Sequence, residues 1–461
     1  MKMNNRSLPP RFIAFFSASL VALSLLGLSS CSSGSSSSST TTTPTQAQTS
    51  NAGNFSTTVF LGDSLTAGYQ SGSLLDTAEV HGWAPLVATQ ANFSATQALI
   101  AYPGAPSTLL LGAVGPPPVI NTASGTTTGR DNPSTQVTDL AVPGAFLNDI
   151  ANTVPVVTPT TGEEQITQLV LGFPGLGLGE AYSQATFAVK ANPTTIFLWA
   201  GNNDALVADI DGTPTSMTSV SDFTTQYTAL IKELTSKTSA HLVIGNIPDV
   251  TLVPYLQPAA LILAEYSAAT GYPTTTLSAL FGIVPGDFVN PEGLDEISAI
   301  LTGKQTTPIS DGGVLTAAEA ATVQANVVAY NQVISAQASA AGATLVDINA
   351  LFSNLATNGL TINGYKGTNA FLGGFFSLDG IHPTNTGYAV VANAFIDAMN
   401  SAFKTSTADV SLTTVAAADP LWPPNLPTAS SSARKGNGLN ALPSSAAKSL
   451  KQILSRNQLS H

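Results

Sequence analysis

The sequence predicts an α/β fold built on a parallel sheet, and three observations carry that prediction. Five β-rich runs follow one another at 57–62, 137–142, 195–200, 241–247 and 343–348. Several of them are continuously apolar, as strands are when both faces of their sheet are covered. Between them lie stretches with a helical period. Strands alternating with helices imply parallel pairing, with ligands at the carboxyl ends of the strands.

In chain order, Val59-Phe60-Leu61 ends abruptly in Gly62-Asp63-Ser64, followed by small residues. That is the pattern of a buried strand delivering a serine to the start of a helix, although a strand, a turn and an N-cap serine would look the same. Val220, Phe223, Tyr227, Leu230, Ile231 and Leu234 share one helix face. Thr316 and Glu319 form a capping box ahead of Val323, Val327, Tyr330 and Ile334. Tyr388, Val391, Phe395, Ala398 and Met399 make a last helix after Pro383. Two long insertions, 92–133 and 251–315, depart from a minimal layout; they read as lids, substrate walls or structural padding. The apolar run 169–178 is too short to span a bilayer and reads as a wall or core.

The termini differ from this body. Lys2, Arg6 and Arg11 precede an apolar run, 12–28, which reads as an export signal. Leu28-Ser29-Ser30 leads into Cys31, the one cysteine of the chain, and resembles the lipobox of bacterial lipoproteins. The expected division is a lipoprotein signal peptide at 1–30, a Ser/Thr-rich tether at 31–54, a folded domain at 55–403 and a low-complexity, disordered basic tail at 404–461. A lipid on Cys31 would hold the domain near a membrane, the outer membrane if the host is Gram-negative.

Composition narrows the function. The 461 residues are 43% hydrophobic and 9% charged, with a formal charge of -12 and no basic stripe in the body, so nucleic acid is not an expected partner. One cysteine excludes an intramolecular disulfide and Cys-based zinc sites, and with His 4 a metal cluster is not expected. Asp209-Ile210-Asp211-Gly212 has a faint calcium-loop look but lacks the later ligand positions.

A nucleophilic serine needs a base, a group to orient the base, and donors for an oxyanion. Of the histidines, His461 ends the tail, His241 opens an apolar strand, and His81 stands on a loop before a helix. His382 follows Asp379 by three residues, just ahead of the last helix, so one loop can hold both. Gly144 ends the second run, and Gly201-Asn202-Asn203-Asp204 ends the third. Each is also an ordinary turn sequence.

Together these blocks resemble the GDSL lipase/esterase family, also called the SGNH hydrolases. Gly62-Asp63-Ser64-Leu65, Gly144, Gly201-Asn202-Asn203-Asp204 and Asp379-Gly380-Ile381-His382 occur in the family's order across the body. The resemblance implies a three-layer α/β/α sandwich with a flavodoxin-like parallel sheet. It implies Ser64 as nucleophile, His382 as base and Asp379 as its partner. The oxyanion hole it implies comes from Ser64 N–H, Gly144 N–H and the Asn203 side chain. No metal or organic cofactor is expected, and the substrate is a lipid or a short or medium acyl ester. Acyl transfer to an alcohol, hydrolysis of carbohydrate O-acetyl esters, and an inactive surface-binding protein on the same scaffold are the alternatives. The Gly-x-Ser-x-Gly elbow of the α/β-hydrolases is absent around Ser64, where Thr66 follows Leu65.

Overall fold

Four strands pair in parallel in the order β1 (Thr58–Gly62), β2 (Thr195–Trp199), β3 (His241–Gly245) and β4 (Thr344–Val346). The computed structural model describes residues 53–115 and 118–427; the signal, the lipobox Cys31 and the end of the tail lie outside them. Register runs straight across the sheet, with Phe60 opposite Phe197 and Phe197 opposite Val243. Every residue of β1 and β2 is buried, which accounts for their unbroken apolar sequence.

The run at 137–142 lies on the outer side of β1. It forms one parallel bridge, Phe60 to Asp139, rather than a full strand. Phe60 N–H donates to Thr138 O at 2.9 Å, and Leu140 N–H to Phe60 O at 2.8 Å. Val142 N–H to Gly62 O at 3.3 Å carries the pairing on, but the segment is also engaged elsewhere. Thr138 and Asp139 N–H groups both donate to Thr96 O, and Asp139 Oδ1 accepts Ala141 N–H. With this segment counted, the spatial order by chain position is 2-1-3-4-5, the flavodoxin-like order, whose switch point falls beside β1.

Helices cover both faces. On one, Trp83–Ala91 packs against Asn385–Phe403, and the Trp83 ring stacks on Phe395 at 3.9 Å and meets Phe60 edge-on at 5.5 Å. On the other lie Gln184–Ala191, Val220–Lys237 and Ala317–Ala341, with Phe223 stacked on Tyr330 at 4.0 Å. Such ring pairs add about 0.5–1.5 kcal/mol beyond their burial. The Thr316–Glu319 capping box forms as read: Glu319 N–H donates to Thr316 Oγ1 and Thr316 N–H to Glu319 Oε2.

The two insertions differ from a loop reading. Residues 251–315 hold three helices, Ala259–Thr270, Thr274–Phe281 and Pro291–Leu301, and a small antiparallel sheet. Ile262, Leu263, Leu277, Phe281 and Ile297 bury against one another as a core of their own. Residues 92–133 carry a hairpin, Leu109–Ala113 with Val119–Thr122, and their Ile100, Ala105 and Leu109 join the main core. Arg130 closes this insertion on itself and on the residues just after it, donating from Nε to Ala98 O at 3.0 Å and from Nη2 to Thr135 O at 2.8 Å. Of the apolar run 169–178, Leu169, Val170 and Leu171 are core, at the end of the helix Gly162–Leu171.

The body also runs past the expected boundary at 403. Residues 404–427 stay packed on it through the helix Leu412–Ala418 and the buried Trp422, 2% exposed, against Phe375. Asp419 Oδ2 accepts Thr386 N–H at 2.8 Å and Thr386 Oγ1–H at 2.7 Å, so this segment satisfies donors in the first turn of Asn385–Phe403. Among the described residues no helix is long and apolar enough to cross a membrane.

Candidate active site

Ser64 stands two residues beyond β1, at its carboxyl end. Gly62 is required there by close approach: a Cβ would meet Thr66 Oγ1 and the Trp199 carbonyl at 2.5 Å each. The helix anticipated after Ser64 is instead one turn, closed by Ala67 N–H to Asp63 O at 3.0 Å. Gly68 at φ 76 and Ser71 at φ 50 turn the backbone left-handed, which no helix continues through. Asp63 does the capping, accepting Leu65 N–H on Oδ1 at 3.0 Å. The Ser64 hydroxyl is thereby left for another partner.

That partner is His382. Ser64 Oγ lies 2.7 Å from His382 Nε2, and His382 Nδ1 lies 2.9 Å from Asp379 Oδ2. Both loop residues are buried, and Ser64 is 7% exposed. With Nδ1 protonated toward the carboxylate, Nε2 is the acceptor for the serine proton. Burial alone would raise the Asp379 carboxyl. The neighbouring His382 charge, its ring hydrogen bond and the His382 and Ile381 backbone N–H groups outweigh that and hold it below its ordinary 3.8. The Tyr69 ring packs against the imidazole with centroids 4.6 Å apart.

The two other blocks arrive at the ends of neighbouring strands. Gly144, at φ 84, sits in a turn in which Ala145 N–H donates to Val142 O. Asn203 is the second residue of the helix Asn202–Asp211 after β2 and spends one amide hydrogen on Ala145 O at 2.9 Å. Its Nδ2 has a second hydrogen to offer. Asp204 Oδ2 accepts Leu147 N–H at 2.9 Å, tying the third block to the second.

Sequence reading passed over three residues that join these parts. Asn202 Nδ2 donates to Asp63 Oδ2 at 2.8 Å, linking the first and third blocks. Gln184 pairs with both backbone groups of Gly62, at 2.9 Å in each direction. Asp63 and Asn202 were detectable as immediate neighbours of Ser64 and Asn203; Gln184 had no local signal. Burial pushes Asp63 up to about 6 against the Asn202 and Leu65 hydrogen bonds, and Asp204 up to about 6 against those of Thr218 and Leu147.

The other described histidines lie elsewhere. His81 Nδ1 bonds Thr77 O at 2.9 Å on the surface, and His241 Nε2 contacts Thr344 Oγ1 at 3.1 Å at a strand end. Asp209 is buried within the Asn202–Asp211 helix. Among the described residues no group of three or more His, Cys, Asp or Glu is placed to hold a metal. A serine hydroxyl bonded to an imidazole that a carboxylate orients can lose its proton as it attacks an electrophile.

A family model described as GDSL-like Lipase/Acylhydrolase matches residues 58–395. No curated protein matched the sequence. Similar solved structures include LAE5, an alpha/beta hydrolase enzyme from the metagenome of Lake Arreo, Spain. It is 14% identical over 76% of this chain and 97% of its own, with a TM-score of 0.34. Axe2, an acetylxylan esterase from Geobacillus stearothermophilus, is 11% identical over 76% and 96%, with a TM-score of 0.34. The lipase/acylhydrolase from Enterococcus faecalis is 14% identical over 77% and 100%, with a TM-score of 0.31. Since the matched span takes in all four blocks that meet at the strand ends, the chain belongs to the GDSL-like lipase/acylhydrolase family and is a carboxylic ester hydrolase.

Proposed function

We propose that this hydrolase works through an acyl-enzyme on Ser64. Ser64 Oγ bonds to the ester carbonyl carbon while its proton passes to His382 Nε2. The tetrahedral oxyanion is received by Ser64 N–H, Gly144 N–H and the spare Asn203 amide hydrogen. Collapse expels the alcohol, which takes the proton back from His382. Water then repeats the sequence and releases the acid. Asp379 orients the ring and stabilises the imidazolium. The observation that carries this reading is the 2.7 Å contact of Ser64 Oγ with His382 Nε2, backed by the Asp379 contact at 2.9 Å.

A fluorophosphonate probe should label the wild-type protein at Ser64, and Ser64→Ala should abolish both labelling and ester turnover while the fold persists. A Ser64→Ala variant that kept near-native turnover would remove Ser64 from the role. The substrate we favour is a lipid or a short or medium acyl ester. Its support is the apolar insertion 251–315, which is joined to the base loop where Tyr255 N–H donates to Gly380 O at 3.0 Å. A panel of chromogenic esters of rising chain length, assayed with and without an alcohol acceptor, separates this from an acetyl-ester preference and from acyl transfer.

The same proposal places the enzyme at a membrane as an exported lipoprotein, supported by the charged and apolar segments ahead of Cys31. Cys31→Ser should move the protein from the membrane fraction to the soluble fraction. Retention in the membrane would contradict the anchor.

A further inference from the structure

The Asp379 carboxylate is gripped by groups from a distant part of the chain. Ile381 and His382 N–H groups donate to Oδ1 at 2.9 Å each from its own loop. Gly72 N–H donates to Oδ2 at 2.7 Å, on the oxygen that also receives His382 Nδ1–H. Ser377 Oγ accepts Ser71 N–H at 2.8 Å and, with that lone pair filled, directs its own proton to Asp379 Oδ1 at 3.3 Å. Ser377 and Asp379 are both fully buried.

The distant partner is a tight turn. Gln70 and Ser73 exchange N–H to carbonyl bonds at 3.0 Å in both directions, and Ser71 and Gly72 have φ 50 and φ 73. Two left-handed residues in a two-residue loop are the type I′ arrangement, and here consecutive N–H groups face the same acidic loop. The turn is itself held. Leu109 N–H from the 92–133 insertion donates to Ser71 O at 2.8 Å, and Leu74 and Ala105 exchange backbone bonds. Gln70 Nε2 donates to Asn385 Oδ1 at 2.8 Å, and Tyr388 Oη to Tyr69 O at 2.7 Å.

We propose that the Ser71–Gly72 turn and Ser377 form a cradle that fixes the Asp379 carboxylate, with Ser377 as a positioning residue for the hydrolytic reaction. The 92–133 insertion then serves as a brace of the base. With Oδ1 occupied by three donors, Oδ2 stays aimed at His382 Nδ1, and the imidazole keeps the tautomer and orientation that deprotonate Ser64. This rests on the acyl-enzyme reading.

The test is Ser377→Ala in the full chain, beside Ser377→Thr, which restores a hydroxyl. In Ser377→Ala, kcat should fall about tenfold, the weight of one buried hydrogen bond, with KM within about twofold, since the group acts on the base and not on bound substrate. The rate of fluorophosphonate labelling should fall by the same factor, and Ser377→Thr should keep kcat within about threefold of wild type. Retention of kcat in Ser377→Ala, a change confined to KM, or an equal loss in Ser377→Thr overturns the cradle. If Ser377→Ala does not fold, Ser377→Thr decides alone, and a tenfold loss there overturns it. Failure of the acyl-enzyme reading looks different: the wild-type protein itself would resist the probe.

Discussion

The proposed nucleophile half of the site and the proposed base half are built in different ways. Ser64, Gly144 and Asn203 stand just past the ends of adjoining parallel segments, so the sheet's register sets their spacing. Short links such as Asn202 to Asp63 at 2.8 Å finish the job. Asp379 and His382 stand on no strand. Their loop closes on itself through Ser377 N–H to His382 O and Thr384 N–H to Phe375 O. It is then held by the turn at 70–73 and backed by the segment 404–427, whose Trp422 packs on Phe375. The first half is thus secured through the sheet and links such as Gln184 to Gly62, and the second by a turn and a C-terminal segment packed round a loop. Changes far from the chemistry should therefore damage the base half first.

Trp422→Ala should be the most destructive such change. The ring fills space over Gly367 and Gly374, and its loss leaves a cavity beneath the base loop. Removing a buried Trp or Phe costs about 3–5 kcal/mol, to be read from the urea denaturation midpoint, and kcat should fall with it. A loss below about 1 kcal/mol, small for a core aromatic, would show that residues past 403 are dispensable to the base half.

Asn203→Ala probes the nucleophile half and should act on the reaction with little effect on the fold's midpoint. Removing an oxyanion donor costs about 2.7–4 kcal/mol in kcat. Asn203 also donates to Ala145 O, so a parallel measurement of Tm separates the two contributions. A fall in kcat below about tenfold, equal to ~1.4 kcal/mol, would leave the oxyanion to backbone donors.

The same division explains what could be read from the sequence. The strand-borne half was legible because a buried strand shows as a short apolar run and its end as Gly-Asp-Ser or Gly-Asn-Asn-Asp. Asp379 and His382 were legible only as neighbours three residues apart. Their cradle was not, because Gly72 and Asp379 are 307 positions apart and glycine in a turn carries no mark of what its N–H meets. Residues 404–427 read as tail because Thr, Ala and Pro fill half of the segment, while its anchors are scattered singly, among them Val410, Ala416, Asp419 and Trp422. The insertion 251–315 looked loop-like because its helices are short and broken by Gly and Pro, so its apolar clusters gave no sign that Ile262, Phe281 and Ile297 pack together.

Acidity provides the gentlest way to separate the halves, because their carboxyls are shifted in opposite directions. Asp63, next to Ser64 in the chain, and Asp204, next to Asn203, are raised by burial from 3.8 to about 6. The folded protein binds their protons more tightly than the unfolded chain. Their stabilising contribution is therefore complete below pH 3.8 and is lost as pH rises through about 6. Asp379 is lowered, so its contribution is present above 3.8 and is lost as pH falls through its folded value. Wild-type Tm should accordingly decline between about pH 4 and pH 7 through the nucleophile half together with Glu79, which burial raises to about 7, and decline again in stronger acid through the base half. Asp63→Asn isolates the first limb, since the amide is neutral throughout. Its Tm should fall less than that of wild type over that range, by on the order of 2 °C. Equal slopes would mean that Asp63 enters the fold already ionised, with Asn202 offsetting its burial in full.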